Sequence, residues 1–122
     1  MPRISHFDIP SDLPERAQKF YEDVFEWKFE KWDGPMEYWM IRTGDDSEPG
    51  INGGMMRRMP GQIGMTNTIT VQSLDEYTGK VQAKGGQILI PKMPILGVGY
   101  LATCMDSEGN IFGLMQMDSN AK

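Results

Sequence analysis

ISHFDIPSDLPERAQKFYEDVFEW, residues 4–27, is a short alternating run followed by a capped helix, and its pattern returns as NTITVQSLDEYTGKVQAKGG at residues 67–86. In the first copy Ile4, Phe7 and Ile9 are the apolar positions of a strand spanning Ile4–Ile9. Asp12 is a good N-cap residue with Glu15 three positions on, the spacing of a capping box. Leu13, Ala17, Phe20, Tyr21, Val24 and Phe25 then fall on one stripe at helical spacing. In the second copy Asn67–Gln72 alternates as a strand should, and Ser73 with Glu76 repeats the capping box. Leu74, Tyr77, Thr78 and Val81 make the second stripe, and Gly85-Gly86 supplies the left-handed stop.

Three strands are predicted after each helix. In the first half they are Trp27–Trp32, Glu37–Thr43 and Ile51–Arg58, with a turn at Gly34-Pro35 and a breaker-rich loop from Gly44 to Gly50. In the second half they are Gln87–Ile90, Tyr100–Met105 and Ile111–Met117, and Pro91-Lys92-Met93-Pro94 reads as a rigid loop. The order β-α-β-β-β thus occurs twice. Leu13 and Ser73 open the two helices 60 residues apart (73 − 13), and the last strands carry Gly50/Gly54 and Gly109/Gly113, each 59 apart. Two capped helices alone could arise in any α+β chain; the matched glycines are what argue for duplication. The reading is one domain, with modules of about 1–58 and 66–118 and a breaker-rich linker over 59–65. Doubling such a module gives a curved mixed sheet with helices outside and a cleft between the modules, a natural place for a small molecule.

Composition narrows the function classes. A chain of 122 residues with 39% hydrophobic and 24% charged residues is an ordinary soluble globule. The formal charge of −5 argues against nucleic acid and acidic membranes as partners, since those need a basic face. One cysteine, Cys104, rules out an internal disulfide, and no apolar run reaches membrane-spanning length, so a cytoplasmic location is expected. Cys104 lies in a predicted strand with no second histidine to activate it, which argues against a cysteine nucleophile. No phosphate-binding loop is present, because neither Gly50–Gly54 nor Gly97–Gly99 precedes a helix.

Three stretches resemble the vicinal oxygen chelate superfamily, also called the glyoxalase/bleomycin-resistance/dioxygenase superfamily. They are His6-Phe7-Asp8-Ile9 with Glu15-Arg16-Ala17 and the Phe20–Trp27 helix end, then Ala83-Lys84-Gly85-Gly86, then Asp106-Ser107-Glu108-Gly109-Asn110-Ile111-Phe112-Gly113-Leu114. More narrowly, the chain is similar to the group related to lactoylglutathione lyase. The resemblance implies paired βαβββ modules, a homodimer and, in catalytic members, a divalent metal held by one His or Glu from the first and last strand of each module. Transferred position by position, that set becomes His6, Thr66 (or Asn67 if the register slips by one), Gly54 and Gly113. One imidazole among four positions cannot hold zinc or iron, which take about three protein ligands, so no metal or other cofactor is expected. A divalent metal at a non-standard site stays open as the alternative.

Glycine at 54 and 113 is expected to leave empty volume suited to a bulky planar or hydrophobic ligand, unless it serves close strand packing. His6 is the one candidate for acid–base chemistry. Tyr38, Met40 and Arg42 share a strand face, and with Met56, Thr66, Tyr100 and Met115 they are the candidate cleft lining. Three functions fit: a glyoxalase-like enzyme using His6 or a non-standard metal, a small-molecule binding protein as in the bleomycin-resistance branch, or a homodimeric interaction module.

Overall fold

The structure is a computed structural model and describes residues 1–62 and 64–122. Ile63, in the expected linker, lies outside the described residues. Ten elements follow the expected order: β1 (Arg3–Ser11), α1 (Pro14–Phe25), β2 (Lys28–Lys31), β3 (Trp39–Arg42), β4 (Asn52–Arg57), β5 (Thr66–Thr70), α2 (Leu74–Ala83), β6 (Gln87–Ile95), β7 (Gly99–Met105) and β8 (Ile111–Met117). The chain is α+β, two βαβββ modules in tandem. Its contacts divide it into two compact units, His6–Met65 and Met1–Ser5 with Thr66–Lys122. The described linker residues therefore group with the first helix, and the first five residues with the second.

In the His6–Met65 unit the strand order is β2-β3-β4-β1. β1 runs parallel to β4, and β3 is antiparallel to both β2 and β4. Period-two alternation sends Phe7, Ile9, Ile41 and Met55 to one face, where they are buried, with Ala17, Tyr21, Trp27, Phe29 and Trp39 packed around them. The helix is set differently from its predicted stripe. Pro14, Ala17 and Tyr21 turn inward, while Leu13, Phe20, Val24 and Phe25 are all more than half exposed. Asp12 does not cap α1 either: the cap position is Leu13, with no side-chain bond, and Pro14 takes the first turn, where its missing N–H costs nothing. The Asp12 carboxylate instead accepts from Arg58 Nε at 3.0 Å.

In the other unit the order is β5-β8-β7-β6, with β5 parallel to β8. Val71, Leu74, Ala102, Cys104 and Leu114 form its buried core beneath α2. Here the cap forms as expected: Ser73 Oγ accepts from the Glu76 N–H at 3.2 Å. Gly85, at φ +96°, reverses the chain, and Gly86 N–H donates to Val81 O at 2.8 Å. Cys104 is fully buried, and burial pushes its thiol up, away from the reactive thiolate. The Pro91–Pro94 segment is not a loop. It continues β6, an edge strand whose two register shifts, between Ile88 and Ile90 and between Ile90 and Met93, accommodate the prolines. Residues 106–110 form a turn in which Asp106 Oδ1 accepts from the N–H groups of Glu108 (2.8 Å) and Asn110 (2.9 Å). Those bonds hold its carboxyl below the usual carboxylate range.

No helix among the described residues is long and apolar enough to cross a membrane.

Candidate functional site

The face of the first sheet turned away from α1 collects the polar residues of all four strands. The ladder sets His6 opposite Asn52 and Asp8 opposite Gly54, then Gly54 opposite Met40 and Met40 opposite Glu30. Lys28 stands opposite Arg42. One further step along β3 and β4 brings Arg42 beside Asn52, where the Thr43 N–H donates to Asn52 Oδ1 at 2.9 Å. Two rows result, Lys28–Arg42–Asn52–His6 and Glu30–Met40–Gly54–Asp8. A groove of about 600 Å³ runs over this face, and His6, Lys28, Glu30, Met40, Arg42 and Asn52 are in its lining.

At one side of the face three side chains meet. Tyr38 Oη donates to Asp8 Oδ1 at 2.6 Å, and His6 Nε2 lies 2.8 Å from Tyr38 Oη and 3.0 Å from Asp8 Oδ1. A carboxylate only accepts, and the one phenol hydrogen goes to Asp8, so His6 Nε2 carries the hydrogen it shares with the pair. In the neutral imidazole that assignment leaves the second ring nitrogen, Nδ1, with its lone pair. Burial above all, and then the Asp8 charge and its hydrogen bond, push the Tyr38 phenol far above its ordinary value. Tyr38 is therefore a fixed donor. His6 and Asp8 side chains remain 37% and 21% exposed, enough for a ligand to touch them. The segment before β3 holds Tyr38 in place: the Trp32 N–H donates to Tyr38 O at 2.8 Å, and the Trp32 ring meets the Tyr38 ring edge-on at 6.1 Å. Next door, Glu37 takes a forked pair of bonds from Arg57 at 2.9 and 3.4 Å.

The volume expected at the two glycines is not empty. A Cβ on Gly54 would overlap the Tyr38 hydroxyl, and one on Gly113 would come within 2.7 Å of Thr68 Oγ1. Glycine at these positions lets a neighbouring side chain lie flat on the strand, so the close-packing alternative holds. The space directly over the two glycines is taken up, and the adjoining groove has Lys28, Glu30 and Arg42 in its lining beside Phe29, Met40 and Ile41.

The other expected lining residues separate. Met40 and Arg42 line the groove, and Met56 shares their face one step beyond Gly54, paired with Pro10. In the second unit Gly113 pairs with Thr68 and Met115 with Thr70, one and two residue pairs along from half-buried Thr66, on the face away from α2. Tyr100 is on the opposite face: it packs against the α2-side core, with Lys92 Nζ 5.4 Å above its ring. Tyr100 pairs with Gln116 and so has the parity of Ala102 and Cys104, which the strand sequence alone does not orient. Asp8 and Asn52 are close in sequence to the candidate positions but are given no role by the sequence reading; the structure brings Asp8 to Tyr38 and Asn52 into the groove lining. The signal for Asp8 was its spacing of two from His6, which puts both on one face of β1.

The donors a metal of the superfamily's kind would need are not assembled. The chain has one histidine, Gly54 and Gly113 offer no side-chain donor, and among the described residues no three His, Cys, Asp or Glu side chains are placed to hold an ion together. His6 and Asp8 supply two ligands, and both are already engaged with Tyr38.

No family model matches the chain, and no curated protein sequence matches it significantly. Solved structures do share its fold. A hypothetical protein of Bacillus halodurans C-125 superposes with a TM-score of 0.73 at 14% identity, over 98% of this chain and 97% of that one. Methylmalonyl-CoA epimerase of Mycobacterium tuberculosis gives 0.72 at 10% identity, over 94% and 87%. The Streptomyces coelicolor methylmalonyl-CoA epimerase, solved in complex with 2-nitronate-propionyl-CoA, gives 0.72 at 14% identity, over 100% and 99%. At these identities the likeness is one of fold.

Proposed function

We propose that this chain is a glyoxalase/bleomycin-resistance-like protein that takes a small molecule onto the charged open face of its His6–Met65 unit, with His6 as the proton-handling group and no metal at the usual positions. The observation that carries the reading is the His6–Asp8–Tyr38 contact, in which a carboxylate and a phenol hold the imidazole through Nε2 and leave Nδ1 to act on a ligand. In such a step Nδ1 accepts a proton from the bound molecule. The imidazolium formed is stabilised by Asp8, and the proton returns to the same or a neighbouring atom. Tyr38 keeps its proton throughout and fixes the position of Asp8. The fold is shared with epimerases that act on CoA thioesters, which makes carbon acids beside a carbonyl the first substrates to try. A homodimer and a cytoplasmic location belong to the same reading, and sedimentation velocity tests the first.

The test is solvent deuterium exchange into CoA thioesters and 2-oxo acids, followed by NMR, beside metal analysis of the purified protein. Wild-type protein is expected to catalyse exchange into at least one probe, His6→Gln to lose it, and Tyr38→Phe to lower it by about 10- to 100-fold. Stoichiometric Zn²⁺, Ni²⁺ or Fe²⁺ that is lost in His6→Ala would overturn the metal-free part. Exchange that is unchanged in His6→Gln would overturn the rest.

A further inference from the structure

We propose that Lys28 and Arg42 form an oxyanion subsite on the groove floor, so that the molecule taken by this face carries a carboxylate or phosphate set several bonds away from the atom that meets His6. This rests on the functional reading above and names the substrate class for it. Lys28 and Arg42 are directly opposite each other in the antiparallel β2/β3 ladder. Like charges in that arrangement repel and weaken the pair, a cost that an anion between them removes. Among the described residues Lys28 has no carboxylate within ion-pair distance, and Arg42 is held only through NH1, by Asp46 at 2.9 Å. The remaining guanidinium N–H groups are available as donors. Both side chains line the same groove as His6 and Asn52 and stand in one row with them. Strands are spaced at about 4.8 Å, so Arg42 and Lys28, two and three strands from β1, lie about 10 and about 14 Å from it. A ligand anchored there reaches His6 only if its anionic and reacting groups are well separated. Glu30, in the adjacent row, disfavours a second negative charge on that side.

Inorganic phosphate and glutarate are the probes, titrated into the whole protein by calorimetry at low ionic strength, about 0.02 M, where exposed charges are least screened. Saturable binding is expected for at least one. Lys28→Ala and Arg42→Ala should each weaken it by about tenfold, the loss of one charge-assisted bond. Asp46→Asn frees Arg42 and should tighten binding by about threefold, a gain that misfolding cannot imitate. Lys19→Ala, which removes an exposed cation on α1, should change nothing. A preference for glutarate assigns a carboxylate ligand and a preference for phosphate a phosphorylated one; either supports the subsite. Absence of saturable binding, or binding unchanged in both Lys28→Ala and Arg42→Ala, overturns it. The two readings fail separately: oxyanion binding by the wild-type protein without any proton exchange keeps the subsite and removes the catalytic role. His6-dependent exchange without saturable binding of phosphate or glutarate does the reverse.

Discussion

The Tyr38 hydroxyl ties together three positions on the open face of the first sheet: it donates to Asp8, meets His6, and lies where a side chain at position 54 would go. Gly54→Ala must therefore push Tyr38 off the strand. It is expected to cost about 1–3 kcal/mol, the usual range for overpacking, and to abolish any His6-dependent activity. In a Tyr38→Ala background the same change should be nearly neutral, and urea unfolding of the four variants in a double-mutant cycle measures the coupling. Tyr38→Phe removes a hydrogen bond to a charged acceptor and should cost about 1–2 kcal/mol near neutral pH. The pH dependence has a definite sign. Tyr38 has a raised folded-state pKa, so above the ordinary tyrosine value of about 10 the unfolded chain loses this proton while the folded one keeps it. The contribution is complete below that value and is lost as pH rises beyond it. Stability should fall between pH 9 and 11 (roughly the range around that value) more steeply in wild type than in Tyr38→Phe.

At the level of elements the two helices were read from the same signature and turned out to start differently. Ser73 is a working cap, so Ser73→Ala should destabilise the protein by about 1 kcal/mol in thermal or urea unfolding. Asp12→Ala should leave α1 intact and shift stability by less than about 0.5 kcal/mol, since among the described residues its side chain is bonded only to Arg58, in an exposed pair. The reason is Pro14: it starts the helix at the first position its ring permits, one residue later than a cap at Asp12 requires. In the helix that results, Pro14, Ala17 and Tyr21 face inward and Leu13, Phe20, Val24 and Phe25 outward. Strand positions were more legible, because alternation survives an error in the ends. Trp39 and Ile41 go to the core and Met40 and Arg42 to the groove, as their spacing requires.

For the whole molecule the decisive fact is that each βαβββ unit has its own buried core, one around Ile41 and Met55 and one around Leu74 and Cys104. Met55→Ala and Leu74→Ala remove fully buried side chains and should each cost about 2–5 kcal/mol, to be measured by calorimetric or denaturant unfolding. The doubled architecture was legible in the sequence. Capping residues, breaker glycines and apolar periodicity are local signals, and their recurrence at offsets of 60 and 59 survives without knowledge of any contact. The absence of a second imidazole was equally plain. Only the tertiary structure decided the site. Position 8 belongs with position 6, position 38 is brought in from 30 residues away, and what fills the space over Gly54 is a side chain that no local pattern connects to it. Strand register and side-chain direction across a sheet come from pairing between distant segments, and the chain encodes them only through the packing it finally adopts.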